Sequence, residues 1–119
     1  MIVGMVDAEG IPMIALMAGD DSYTAIVDTG FNGDLELPEK LYSWVNPRLI
    51  GRRWAELAGG RSLEEELYLV DFPFDGRTVT AEASFVSAGE TILIGTGLLG
   101  DYRLEIDFPQ TKVILKKNR

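Results

Sequence analysis

A chain of 119 residues is long enough to bury one hydrophobic core and too short for two. Its formal net charge of −8 disfavours nucleic-acid phosphates and anionic membrane surfaces as partners. It contains no cysteine and no histidine, which excludes disulfides, thiolate nucleophiles, Ser-His-Asp triads and metal sites built on either residue.

The remaining composition is that of a folded protein, with 46% apolar and 25% charged residues. General acid–base work at moderate pH falls to Asp, Glu, Lys or Tyr. No cofactor and no metal are expected. The segment Met1-Ile2-Val3-Gly4-Met5-Val6-Asp7 has no basic stretch and breaks early, so no signal peptide is read there. No apolar run approaches the length that spans a bilayer. The expected location is the cytoplasm, and the expected organisation is one domain over residues 1–119.

Apolar runs separated by turn residues dominate the chain. Residues 2–7 and 12–18 read as strands divided by Glu9-Gly10, and a third strand over 23–28 follows the turn Gly19-Asp20-Asp21-Ser22. Met5, Met13 and Met17 are expected in the core. The third strand ends in Ala25-Ile26-Val27-Asp28-Thr29-Gly30. Asp is depleted in strands and Gly weakens them, so Asp28 marks the point where the chain leaves the sheet. Asp-Thr-Gly alone is also an ordinary turn tripeptide.

Phe31-Asn32-Gly33-Asp34 forms a further turn cluster, and Leu35-Glu36-Leu37 a short alternating strand. Pro38-Glu39-Lys40 suits the first turn of a helix that Asn46-Pro47 stops. Residues 49–57 lead into Gly59-Gly60, the strongest hairpin tip in the chain, and residues 62–72 leave it. Arg52, Arg53 and the run Glu64–Glu66 read as solvated charges; Trp44 and Trp54 read as core or interface filler. Asp75-Gly76 is another hairpin turn, followed by a strand over 77–86. Residues 91–94 are a short apolar strand ending at Gly95. Thr96-Gly97-Leu98-Leu99-Gly100 fits a helical turn or tight loop. Residues 102–108 and 111–117 flank Pro109-Gln110 as a final hairpin, with Asp101, Glu105 and Asp107 facing solvent. Many short strands with little helix argue for a closed β-barrel or a sandwich.

Gly95-Thr96-Gly97-Leu98-Leu99-Gly100 spells a dinucleotide-binding fingerprint. That fingerprint needs a following helix, a crossover and an acid about twenty residues on. A β pattern resumes at Tyr102 and leaves no room for the unit, so the reading is set aside.

Ile26-Val27-Asp28-Thr29-Gly30 early in the chain, a Gly-Gly hairpin in the middle and Ile92-Leu93-Ile94-Gly95 followed by Leu98-Leu99 near the end occur in a particular order. Together they resemble the retropepsin-like aspartic proteases, over roughly residues 12–117. The resemblance implies an all-β fold, a closed barrel with one or two short helical turns. It implies an aspartic endopeptidase with Asp28, Thr29 and Gly30 as its catalytic triplet and Ile94 and Gly95 bracing the catalytic loop. The hairpin around Gly59 and Gly60 (residues 55–67) would be the flap over a peptide or protein substrate, with Phe31 and Asn32 at substrate-binding positions. One Asp-Thr-Gly in one lobe implies a homodimer in which Asp28 meets Asp28 of the partner. Many relatives have Ala-Asp after the Gly and an Arg after the second motif's Gly. Here Phe31-Asn32 and Thr96 stand there, so that ion pair is absent and the loop is braced differently. The alternative is a catalytically silent binding or assembly module of the same fold.

Overall fold

Alternation of inward apolar and outward polar residues governs nearly every segment, so the chain folds as strands. In the computed structural model, which describes residues 1–56, 59–87 and 89–118, ten strands follow one another. They are β1 (Ile2–Val6), β2 (Pro12–Ala18), β3 (Asp21–Val27), β4 (Leu35–Pro38), β5 (Arg48–Glu56), β6 (Ser62–Phe74), β7 (Arg77–Val86), β8 (Ile92–Ile94), β9 (Tyr102–Asp107) and β10 (Lys112–Lys117). A single 3-10 helix, Glu39–Trp44, begins directly after Pro38, whose fixed φ suits a first turn.

The strands form one sheet in the order β5-β6-β7-β4-β8-β3-β2-β1-β10-β9. All-β architecture is therefore as expected, but barrel closure is not: among the described residues no ladder joins the edge strands β5 and β9. The sheet instead folds around one core. Ile14 and Leu16 of β2, Ala25 and Val27 of β3, Phe72 and Phe74 of β6, Ile92 and Ile94 of β8, and Val113 and Leu115 of β10 share a single buried cluster. Burying side chains of this size stabilises the fold by about 1.5–3 kcal/mol each before entropy is charged against them.

Turn chemistry sets the hairpins. Gly19-Asp20 closes β2 onto β3, with Ala18 opposite Asp21, so β3 begins two residues earlier than the apolar pattern suggests. Asp75 and Gly76 both take positive φ (55° and 80°) between β6 and β7, the two-residue geometry that matches strand twist. Gly59 and Gly60 sit at the tip joining β5 to β6; Leu57 and Ala58, within the expected 55–67 hairpin, lie outside the described residues.

The core placement expected of the methionines fails for one reason. Met5 and Met17 are 53% and 57% exposed, and Met13 is half-buried. Their strands turn Val6, Ile14, Leu16 and Ala18 inward, and strict alternation sends the methionines out. Trp44, in the 3-10 helix, and Trp54, read as core or interface filler, are exposed. Asp101, Glu105 and Asp107 face solvent as the pattern suggests.

Candidate active site

The site begins with a three-residue strand. β8 runs parallel to β3 on one side (Ala25↔Ile92, Ile26↔Leu93, Val27↔Ile94) and antiparallel to β4 on the other (Leu35↔Ile94). The chain thus leaves β3 at Val27 and re-enters the sheet at Leu35, on the far side of β8. Residues 28–34 must cross the end of β8 to do so.

That crossing is fixed by backbone hydrogen bonds. The N–H of Asp28 donates to Ile94 O (2.9 Å). Beyond β8, the N–H of Gly95 donates to Asp34 O (2.9 Å), that of Thr96 to Phe31 O (2.8 Å) and that of Gly97 to Gly33 O (3.1 Å). Two glycines make the approach feasible. A Cβ on Gly95 would stand 2.1 Å from Gly33 O and 2.6 Å from Phe31 O; one on Gly97 would stand 2.3 Å from Asp34 Oδ1. After Gly95 the chain makes a turn with bonds from Leu98 to Gly95 and from Leu99 to Thr96, then enters β9. No helix follows, which removes the structural basis of the dinucleotide fingerprint.

Within the loop, Asp28 is half-buried. Its Oδ1 accepts a hydrogen bond from the N–H of Gly30 (2.9 Å), and its backbone carbonyl accepts one from Phe31 (3.1 Å). The carboxylate is therefore oriented by its own turn, an arrangement open to Asp because its short side chain reaches two residues on. Thr29, Gly30 and Asn32 are exposed, and Phe31 is half-buried. Asp34 ends the loop, its Oδ2 accepting the N–H of Glu82 on β7 (2.9 Å). This bond, with those at residues 95–97, holds the loop. Asp34 reads in sequence only as a turn residue; the acceptor role needs β7 beside it.

A cleft of about 1320 Å³ opens beside the loop. Gly30, Phe31, Asn32 and Gly33 form one side, and the shaft of the β5–β6 hairpin, Arg52–Trp54 and Leu63–Glu66, forms the other. The hairpin thus contributes its shaft rather than the glycine tip. Tyr42, Tyr68 and Phe85, which also line the cleft, pack edge-to-face at 5.1–5.6 Å between centroids. Arg53 departs from the expected surface charge. It is half-buried, pairs with Glu65 (2.9 Å) and places its guanidinium 5.9 Å from the Phe31 ring centroid, linking hairpin to loop. Arg52 does remain at the surface, paired with Glu64 (2.9 Å).

Glu36, on β4, also lines the cleft. Burial holds its carboxyl above the ordinary glutamate value; Glu65 pushes the same way, Arg53 opposes, and Asp28 adds a smaller push upward. Sequence reading passes over Glu36 because alternation in Leu35-Glu36-Leu37 marks it as the outward residue, and here outward means into the cleft.

Of the residues singled out in the sequence, Asp28, Thr29, Gly30, Phe31, Asn32, Ile94 and Gly95 are brought together at this crossing, while Gly59 and Gly60 stand at the tip of the hairpin opposite. Comparison with solved structures then places the architecture. A retropepsin-like aspartic protease from Rickettsia conorii superposes with a TM-score of 0.67 at 16% identity, covering 96% of this chain and 88% of that one. The chain has the retropepsin-like fold. The foamy viral protease-reverse transcriptase matches with TM-scores of 0.61, in complex with an RNA/DNA hybrid, and 0.59, in complex with double-stranded DNA. Identities there are 18% and 20% over 80% and 79% of this chain, which spans only 13% and 16% of those longer chains. No family model and no curated protein sequence matches. Among the described residues no helix is long and apolar enough to cross a membrane.

Two outcomes follow from the geometry. Gly95→Ala forces backbone apart at the crossing and is expected to destabilise the chain by about 1–3 kcal/mol, read from denaturant unfolding; an unchanged midpoint would show that the crossing yields freely. For Glu36, the raised folded value means that ionisation costs stability. The penalty is absent below the ordinary value of 4.5, grows as pH rises from there and is complete above the raised value. Glu36→Gln is therefore expected to melt above the wild type at pH 7, with the difference vanishing towards pH 4; a pH-independent difference would contradict this.

Proposed function

We propose that the chain is an aspartic endopeptidase that acts as a homodimer, one lobe from each copy. The observation that carries this reading is the placement of Asp28. It is a carboxylate oriented by the Gly30 N–H, on a loop locked over Ile94-Gly95, beside a cleft of about 1320 Å³. The retropepsin-like fold supports it, since the solved neighbours of this fold are aspartic proteases.

In this reading a two-fold axis brings Asp28 within about 3 Å of the partner's Asp28, a distance at which two carboxylates hold one proton between them. The ionised member takes a proton from a water that attacks the scissile carbonyl carbon. The neutral member gives its proton to the carbonyl oxygen. The tetrahedral diol collapses as the amide nitrogen is protonated and the C–N bond breaks. No acyl-enzyme forms. Thr29, exposed beside Asp28, bonds across the axis and stiffens the paired loops, and Gly30 brings backbone against the substrate. Phe31 and Asn32 contact substrate, and the hairpin ending in Gly59 and Gly60 closes over it and expels water. A cytoplasmic location belongs to the same reading.

Asp28→Asn keeps shape and removes the base. It is expected to leave folding intact and reduce peptide cleavage by about 10²–10⁴-fold or more, measured with a broad peptide library at mildly acid pH. A statine-type transition-state mimic is expected to block the wild type. A folded wild-type dimer that cleaves nothing in such a library would overturn the enzyme and leave a binding or assembly module.

A further inference from the structure

The charge of the cleft does not balance. Among the described residues, six glutamates line it (Glu36, Glu39, Glu56, Glu64, Glu65 and Glu66) against two arginines, Arg52 and Arg53. Both arginines are already engaged, Arg52 with Glu64 and Arg53 with Glu65. A cleft lined by an excess of one sign of charge concentrates ligands of the opposite sign. Solvated glutamates are common on any surface, so what matters is whether one of them is built into a site.

Glu36 is such a residue. It is half-buried on β4 and stands opposite Ser84 in the parallel ladder with β7. Their strand neighbours Leu35, Leu37 and Ala83 are fully buried in the core. Alternation therefore turns Glu36 and Ser84 to the other face, which meets the cleft at Glu36. Ser84 is 1% exposed, and its Oγ has no hydrogen-bond partner among the described residues. Such a group is uncommon, because its lost bonds to water have not been replaced. Glu36 is short of positive charge as well. Beyond burial, Glu65 and Asp28 repel its charge, and Arg53 attracts it while paired to Glu65.

The same wall shows which cation suits it. The Arg53 guanidinium lies 5.9 Å from the Phe31 ring centroid, and a Cβ on Gly33 would stand 3.2 Å from its Nη1. An arginine of the chain's own hairpin is thus seated against Phe31, Gly33 and Glu65, within the field of Glu36. A second guanidinium beside it would bring five N–H donors in a planar fork, enough to serve a carboxylate and a hydroxyl together.

We infer that Glu36 and Ser84, beside Arg53, form a subsite for a basic side chain of a bound peptide, with arginine the better fit. The inference rests on the peptidase reading above and names its substrate class: peptides that carry a basic residue in the segment held by the cleft.

The test reads binding, so it does not depend on cleavage. The full Asp28→Asn chain is titrated at pH 7 and about 0.15 M salt, which screens the overall charge, with short peptides carrying one arginine. The same peptides carrying citrulline, which keeps the shape and lacks the charge, are titrated alongside. Arginine peptides are expected to bind about tenfold or more tightly than their citrulline counterparts. Glu36→Gln in the same background is expected to bring that ratio to about one, and Ser84→Ala to lower it about two- to threefold. Circular dichroism is expected to stay unchanged in both, since Ser84 Oγ has no bond to lose. Glu105→Gln removes an equal charge from β9, at the opposite edge of the sheet from β5, and is expected to keep the full ratio. Equal binding of the two peptides, a ratio that survives Glu36→Gln, or one lost equally in Glu105→Gln would overturn the inference. If Glu36→Gln misfolds, Ser84→Ala decides. Cleavage of the same peptides by the wild type separates the two readings. Arginine preference in binding with no cleavage keeps the subsite and ends the peptidase. Cleavage accompanied by binding indifferent to the exchange does the reverse.

Discussion

The backbone seam between residues 28–34 and 94–97 is the constraint on which the rest of the site depends. A loop that leaves β3 and returns as β4 on the other side of β8 has no regular ladder of its own. Its carbonyls at Phe31, Gly33 and Asp34 are satisfied by three successive N–H groups beyond β8. Buried backbone groups without partners cost as much as a lost hydrogen bond, so each of these bonds also fixes a loop conformation. Gly95 and Gly97 permit the approach by having no side chain. Asp28 is then held twice, through its amide to β8 and through its carboxylate to Gly30.

The hairpin is joined to the loop by a different kind of contact. Arg53 reaches from β5 to the Phe31 ring while paired with Glu65 from β6. One guanidinium thus spans hairpin and loop. Such partly exposed pairs contribute little to stability, on the order of 1 kcal/mol or less. Their consequence is geometric: the two walls of the cleft are set relative to each other before any ligand arrives. Glu36 of β4 also lines the cleft, where burial holds its carboxyl above the ordinary glutamate value.

Much of this was legible in the sequence because the signals were local. Asp75-Gly76, Gly59-Gly60 and Pro38 mark chain reversals and a helix start by their own φ preferences, and the strands between them are bounded accordingly. Asp28-Thr29-Gly30 and Ile94-Gly95 are legible as a pair because their order resembles that of retropepsin-like proteases, and the comparison with solved structures shows that fold. What stayed hidden depends on neighbours distant in sequence. Met5 and Met17 look like core by residue type, yet parity against Val6 and Leu16 decides their face. Asp34 becomes an acceptor only because β7 brings Glu82 beside it, and Arg53 becomes a bridge only because the hairpin folds over Phe31. Closure of the sheet is implied by the resemblance and left open by the strand pattern, because a run of short strands does not say whether β5 and β9 meet.

The central functional claim is that one Asp28 is half of a catalytic pair. Its most direct test is the cleavage rate per chain as the protein is diluted through its dimer dissociation range, with light scattering on the same samples. A rate per chain that falls in proportion to the dimer fraction and vanishes for the monomer is expected. A rate per chain that stays constant when the protein is monomeric would contradict the paired-carboxylate mechanism.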